Sequence, residues 1–169
     1  RAHRQRRAVG DMLGDGDVAG EQDEHAGPGI AGLEQRLAIR IAADRAEAAK
    51  ALGYAYVAMT DHAHYLRDGR LEAQWGEIAE LNGRLEPFRI LRGIEVSIRA
   101  DGSLDMPDDV LGECDWVVAS LHSAFDKSPT ERLMSAMESL HVDCIGHMTA
   151  RKLNRREGAD IALDKVFGK

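Results

Sequence analysis

Tyr54-Ala55-Tyr56-Val57-Ala58-Met59-Thr60-Asp61-His62 is an apolar, β-forming run that stops abruptly at a polar triplet. Such a run reads as a buried strand that delivers polar side chains at its C-terminal end. In α/β folds that end is where ligands bind. Three later stretches repeat the design: Phe88 to Val96 reaches Glu95, Asp115 to Leu121 reaches His122, and Val142 to Gly146 reaches His147. Four strand ends therefore carry His62, Glu95, His122 and His147.

Helical patterns lie between these strands. Leu33 to Leu52 places Leu33, Leu37 and Ile41 on a helical period, then runs through Ala-rich turns to a stop at Gly53. Leu71 to Leu85 spaces Leu71, Trp75, Ile78, Leu81 and Leu85 for one amphipathic face, and Pro87 follows it. Pro107 opens a short helix that ends near Gly112, and Thr130 to Leu140 puts Leu133, Met137 and Leu140 on one face. Ile161 to Phe167 starts another. Asp68-Gly69 is a turn signal, and Asp101-Gly102 is a hairpin signal. Strands alternating with helices predict an α/β fold with parallel pairing. Right-handed crossovers then bring every strand C-terminus to one edge, so the four residues converge although they are far apart in sequence.

Composition sets outer limits. A chain of 169 residues with 44% apolar content is one domain's worth of ordinary globular sequence. A formal charge of −7 argues against a general nucleic-acid-binding surface, though bound divalent cations can supply positive charge where a phosphate sits. Cys114 and Cys144, both in apolar surroundings, read as structural thiols of a reduced, cytoplasmic protein. No membrane span or secretory leader is legible.

Neutral imidazole and carboxylate suit borderline divalent ions such as Zn, Mn or Fe(II). Several such ligands in one mouth suggest a cluster that hydrolyses phosphate esters, one ion activating a water and another stabilising the leaving oxygen. Taken singly, each His is more often a satisfied core or loop residue, and Glu95 between Ile94 and Val96 also reads as a solvent-facing edge residue. Their shared position at four strand ends favours the metal. His64, two residues after His62, could point into the same mouth, but a loop His is usually just solvated, and His141 precedes a strand, at the wrong end of the sheet. Arg151, Lys152, Arg155 and Arg156 form a dense basic cluster after His147, so their loop is expected to rim the mouth. Arg151 is the candidate phosphate contact because its planar fork can bind two phosphate oxygens. A merely solvated charged loop is the competing reading.

Thr60-Asp61-His62, Gly93-Ile94-Glu95-Val96, Val117 through Ser123 (Val-Val-Ala-Ser-Leu-His-Ser) and Ile145-Gly146-His147 together resemble the PHP (polymerase and histidinol phosphatase) superfamily. The resemblance is nearest to the PHP domain at the C-terminus of bacterial family X DNA polymerases, to which Asp101 through Leu111, Asp115-Trp116 and Arg155 through Gly158 are similar. It implies a distorted (β/α)7 barrel, TIM-like, with up to three divalent metal ions (Zn, Mn or Fe) in its mouth. His62, Glu95, His122 and His147 match family ligands, Glu95 as the bridging carboxylate.

Two family motifs are absent. An opening His-x-His should precede the helix ending at Leu52, where Gly29-Ile30-Ala31-Gly32 stands instead, and a closing Asp-x-His would fall past Lys169. Residues 44–169 are therefore expected to be a partial, incomplete barrel, with a sheet edge left uncovered. Residues 1–43 are an atypical segment: up to about residue 32 they are rich in Arg, Gly, Asp and Gln without strand or helix period, as expected of disordered or mistranslated chain. The implied parent is a metal-dependent phosphoesterase, a 3′–5′ exonuclease or 3′-phosphatase on DNA ends in DNA repair, beside a polymerase core and with no membrane partner. This stretch by itself is expected to be impaired. A stand-alone histidinol-phosphate phosphatase and a non-catalytic PHP domain serving a polymerase structurally are the alternatives.

Overall fold

The computed structural model describes residues 42–168. Most of the atypical segment 1–43, and the first half of the helix expected from Leu33, lie outside the described residues. The elements are α1 (42–51), β1 (Tyr56–Met59), a 3-10 turn (Ala63–Tyr65), α2 (Arg70–Leu85), β2 (Arg89–Ser97), α3 (Asp108–Gly112), β3 (Trp116–Ser120), α4 (Pro129–Glu138), β4 (Cys144–Ile145) and α5 (Leu163–Phe167). The sheet order is β1-β2-β3-β4, with parallel pairing. Consecutive parallel strands with a helix between each pair are what an incomplete α/β barrel contains.

Two compact units make up the chain. Among the described residues, one holds 42–57 with Leu81–Ile90, the other Ala58–Glu80 with 91–168. In the first unit Ala46, Leu81, Leu85, Phe88 and Ile90 are buried. There the Asn82 side chain brackets Ile90, accepting from its N–H at 2.6 Å and donating to its carbonyl at 2.9 Å, which satisfies the first turns of β2.

The second unit carries the main core. Ile94, Val96 and Ile98 from β2 and its extension pack with Val117, Ala119 and Leu121 from β3, and with Leu111, Leu133 and Ala136 from the helices. All six strand positions are 0–1% exposed. Two-residue alternation sends the residues between them, Glu95 and Ser97 on β2 and Val118, Ser120 and His122 on and after β3, to the opposite face. Acidic residues fix the starts of the strands. Asp115 Oδ2 accepts from Arg92 N–H at 3.0 Å, and Asp143 Oδ2 accepts from Val117 N–H at 3.0 Å.

The helices differ in detail from the sequence expectation. α2 buries Leu71, Ile78, Leu81 and Leu85, as its spacing predicts. α4 instead buries Arg132, Leu133 and Ala136, while Met137 is 39% and Leu140 98% exposed. The helix ends at Glu138 because Ser139 turns extended, so Leu140 falls beyond the face it was expected to join. β4 shrinks to Cys144–Ile145. Asp101-Gly102 does turn the chain: Gly102 has φ 86°, and Ile98 pairs antiparallel with Leu104. Both cysteines are free, and burial pushes the Cys114 thiol up to about 11, leaving it a poor nucleophile at neutral pH. No helix among the described residues is long and apolar enough to cross a membrane.

Gly93 marks the closest approach of β2 to the chain after β1. A Cβ there would strike the Met59 carbonyl oxygen and lie 2.9 Å from Thr60 Cγ2. Gly93→Ala should therefore destabilise the protein by about 1–3 kcal/mol, the usual cost of overpacking, read as a lower midpoint in urea unfolding. An unchanged midpoint would mean that the strands can part at no cost.

Candidate metal centre

The site stands on the polar face just described. β1 ends at Met59, and three residues later His62 forms a parallel bridge with Glu95, reinforced by Glu95 N–H donating to Asp61 carbonyl at 3.0 Å. In the β2–β3 register Glu95 lies beside Val118 and Ser97 beside Ser120, so His122 follows two residues beyond Ser120 on the same face. Ala119 pairs with Ile145, which places His147 just past the end of β4.

Three imidazoles meet one carboxylate. His122 Nε2 lies 3.2 Å and His147 Nε2 3.1 Å from Glu95 Oε1, and His62 Nδ1 lies 3.2 Å from Oε2. The rings of His62 and His122 meet edge to face at 4.8 Å, and those of His122 and His147 at 5.3 Å. Side-chain exposure rises from 12% at Glu95 to 46% at His147, so the group is approached from the His147 side. The carboxylate is not the solvent-facing edge residue that alternation alone allowed.

Burial by itself would raise the Glu95 pKa. Hydrogen bonds from His122 and His147, with smaller help from Ser120 and the charge of His62, outweigh it and hold the carboxyl well below the ordinary range. Ser120 Oγ is fully buried and lies without a well-aligned hydrogen-bond partner. The His62 contact is similar in kind: Nδ1 is within ion-pair distance of Oε2, yet it is buried with no properly aligned hydrogen-bond partner. A buried imidazole nitrogen without an aligned hydrogen-bond partner, 3.2 Å from a carboxylate held below its ordinary range, suits a metal-ligand set. His62, Glu95 and His122 offer donor atoms all within 4.8 Å of one another, a group that could hold a metal ion. His147 touches the same carboxylate from the other flank and falls outside that triplet.

Neighbouring residues shape the group. Gly146 leaves it room, since a Cβ there would hit Ser120 Oγ, lie 2.8 Å from Val118 Cγ1 and sit 3.6 Å from Glu95 Oε1. His64, set aside in the sequence as a solvated loop residue, is exposed but stacks on His62 with ring centroids 5.4 Å apart. Its place is two residues along a 3-10 turn, a geometry that no strand or helix period announces. His141 sits beside Gly112 at the end of α3, as its position before β4 implied. A separate concavity of about 680 Å³, lined by Arg99, Leu104, Asp105, Ser135 and His141 among others, includes none of the four converging residues.

The basic cluster divides. Arg156 is structural: its guanidinium donates to the Ala150 carbonyl at 3.0 and 2.5 Å and lies over the Phe125 ring at 3.9 Å. Arg151 is exposed at the start of a small loop closed by a Lys152–Arg156 bridge, and that loop leaves the site directly because Ala150 N–H donates back to the His147 carbonyl.

Arg132 is the functional-site support that the sequence did not signal. Although charged, it is 2% exposed. Its Nε donates to Arg99 carbonyl at 2.8 Å, Nη1 to Ala124 at 2.7 Å and Ser123 at 3.1 Å, and Nη2 to Ile98 and Ser123. One guanidinium thus ties the chain after Ser97 to the chain after His122.

No family model matches the chain. It is 44% identical, over 73% of its length, to the DNA polymerase/3′–5′ exonuclease PolX of Bacillus subtilis, of which it spans 23%. It is 33% identical, over 56% of its length, to a probable phosphatase of Thermoanaerobacter sp. (strain X514), spanning 42% of that protein. A probable phosphatase of Vibrio parahaemolyticus is 32% identical over 62% of the chain, which spans 44% of it. The chain thus spans less than half of each of these relatives.

Arg132→Met should cost about 3 kcal/mol, because the four carbonyls it serves lose their shared charged donor. Arg132→Lys should recover only part, since an ammonium cannot fork across both loops. Urea unfolding of the two variants measures this, and equal stability of Lys and Arg would deny the fork its role.

Proposed function

We propose that this chain is the metal-bearing part of a PHP-type phosphoesterase of the family X polymerase kind, acting on DNA 3′ ends as an exonuclease or 3′-phosphatase. The observation that carries the reading is the convergence of three imidazoles on the half-buried Glu95 carboxylate. His62, Glu95, His122 and His147 would hold its metal ions, Glu95 in the place of the bridging carboxylate that the PHP resemblance implies. Residues 44–169 form the PHP portion, part of a seven-stranded barrel, and residues 1–43 lie outside it. The ions, Zn, Mn or Fe(II) and up to three in number, supply an activated water and neutralise charge on a phosphate. The polypeptide orients the imidazoles, keeps the carboxylate ionised and leaves the His147 side open to substrate. A polymerase core is the expected partner in the parent protein. A second reading, hydrolysis of a small phosphate ester, is favoured by the phosphatase relatives.

Calorimetric titration of the chain with Zn or Mn should show saturable binding that Glu95→Gln weakens by at least the order of 10–100-fold that outer-shell changes alone typically cost. Binding unaffected by Glu95→Gln would sink the assignment. Comparing cleavage of a 3′-phosphorylated oligonucleotide with that of histidinol phosphate by the parent protein separates the two substrate readings.

Arg151 is proposed as a phosphate contact at the open side. Arg151→Ala should weaken single-stranded DNA binding and flatten its salt dependence by about 0.7 in log–log slope, the loss of one phosphate contact. Metal content should not change. An unaltered slope would reduce the loop to a solvated face.

A further inference from the structure

His122 uses both ring nitrogens. Nε2 faces Glu95 Oε1 at 3.2 Å, and Nδ1 faces Ser97 Oγ at 3.0 Å. Ser97 is the last residue of β2 and points to the same face as Glu95, two positions before it. Its backbone is clamped by one residue: Ser97 N–H donates to Asp105 Oδ1 at 2.7 Å, and Asp105 N–H donates to the Ser97 carbonyl at 3.1 Å. Asp105 arrives there because the Asp101-Gly102 turn folds the chain back, with Ile98 paired to Leu104. On its other side Ser97 lies in register with Ser120, and the next residue, Ile98, donates its N–H to the Ser120 carbonyl at 2.9 Å. A backbone held this firmly keeps the Ser97 hydroxyl within reach of the imidazole.

We propose that Ser97 is a positioning residue that lets His122 present either tautomer without turning its ring. The inference rests on the metal-binding reading given above. With no cation bound, Nε2–H donates to Glu95 and the Ser97 hydroxyl donates to the lone pair of Nδ1. When Nε2 must instead offer its lone pair to a cation, the imidazole proton resides on Nδ1 and donates to Ser97 Oγ, the hydroxyl hydrogen having rotated away. The imidazole stays neutral and the total proton count is unchanged. Only a group that both donates and accepts can serve both states. A carboxylate at this position could only accept, and an alanine could do neither. The partner of a ligating histidine's second nitrogen sets its tautomer and orientation.

The test uses Ser97→Ala and Ser97→Thr in the whole chain. Ser97→Ala keeps the backbone bonds to Asp105, and an unchanged thermal midpoint checks that the fold is intact. In the metal-free protein the ¹⁵N resonance of His122 Nδ1 should move in Ser97→Ala and return in Ser97→Thr. Affinity for Zn or Mn, read by calorimetry, should fall about 10–100-fold in Ser97→Ala and recover in Ser97→Thr. If neither the resonance nor the affinity changes in Ser97→Ala, the proposal is overturned. It is likewise overturned if Thr behaves like Ala, because volume rather than the hydroxyl would then be at work. Failure of the unaltered chain to bind either cation would instead remove the metal reading, and the metal-free resonance would still decide whether Ser97 governs His122.

Discussion

The Glu95 carboxylate, taken mostly out of water and yet kept ionised, is the constraint on which the rest depends. Desolvating a carboxylate is unfavourable unless charge and hydrogen bonds compensate it. Here the compensation comes from three imidazoles delivered by three other strand ends, from His62, His122 and His147. Their arrival is a matter of register. Shifting β3 by one residue against β2 would send His122 into the core and Leu121 to the site.

The frame that keeps this register is built from polar side chains used as clamps. Arg132 binds the chain after β2 to the chain after β3, and Asp105 holds Ser97 where it faces His122. Asp115 and Asp143 secure the opposite ends of the same strands. At two points the frame needs the absence of a side chain. Gly93 lets β2 approach the end of β1, and Gly146 leaves the carboxylate and Ser120 their space. Such close packing suits a preorganised ligand set, whose geometry is fixed before anything binds.

Similarity to PolX and to probable phosphatases agrees with this chemistry from an independent direction. Both kinds of relative are named for action on phosphate esters. The net charge of −7 means that the surface as a whole does not attract a phosphate.

The sequence by itself determined the strands, the order of helices between them and the four residues at the strand ends, because two-residue alternation and chain order fix which side chains leave the core and at which end. It also marked the Asp101-Gly102 turn. Only the tertiary structure decided that Glu95 faces the histidines rather than solvent, since alternation gives a face but not what covers it. The same holds for α4, where helical period nominated Met137 and Leu140, but the break at Ser139 and the burial of Arg132 chose another face. Arg132 and Ser97 were illegible as neighbours of the site for one physical reason. Each acts through a contact between segments distant in sequence, and such contacts leave no period in the chain that makes them.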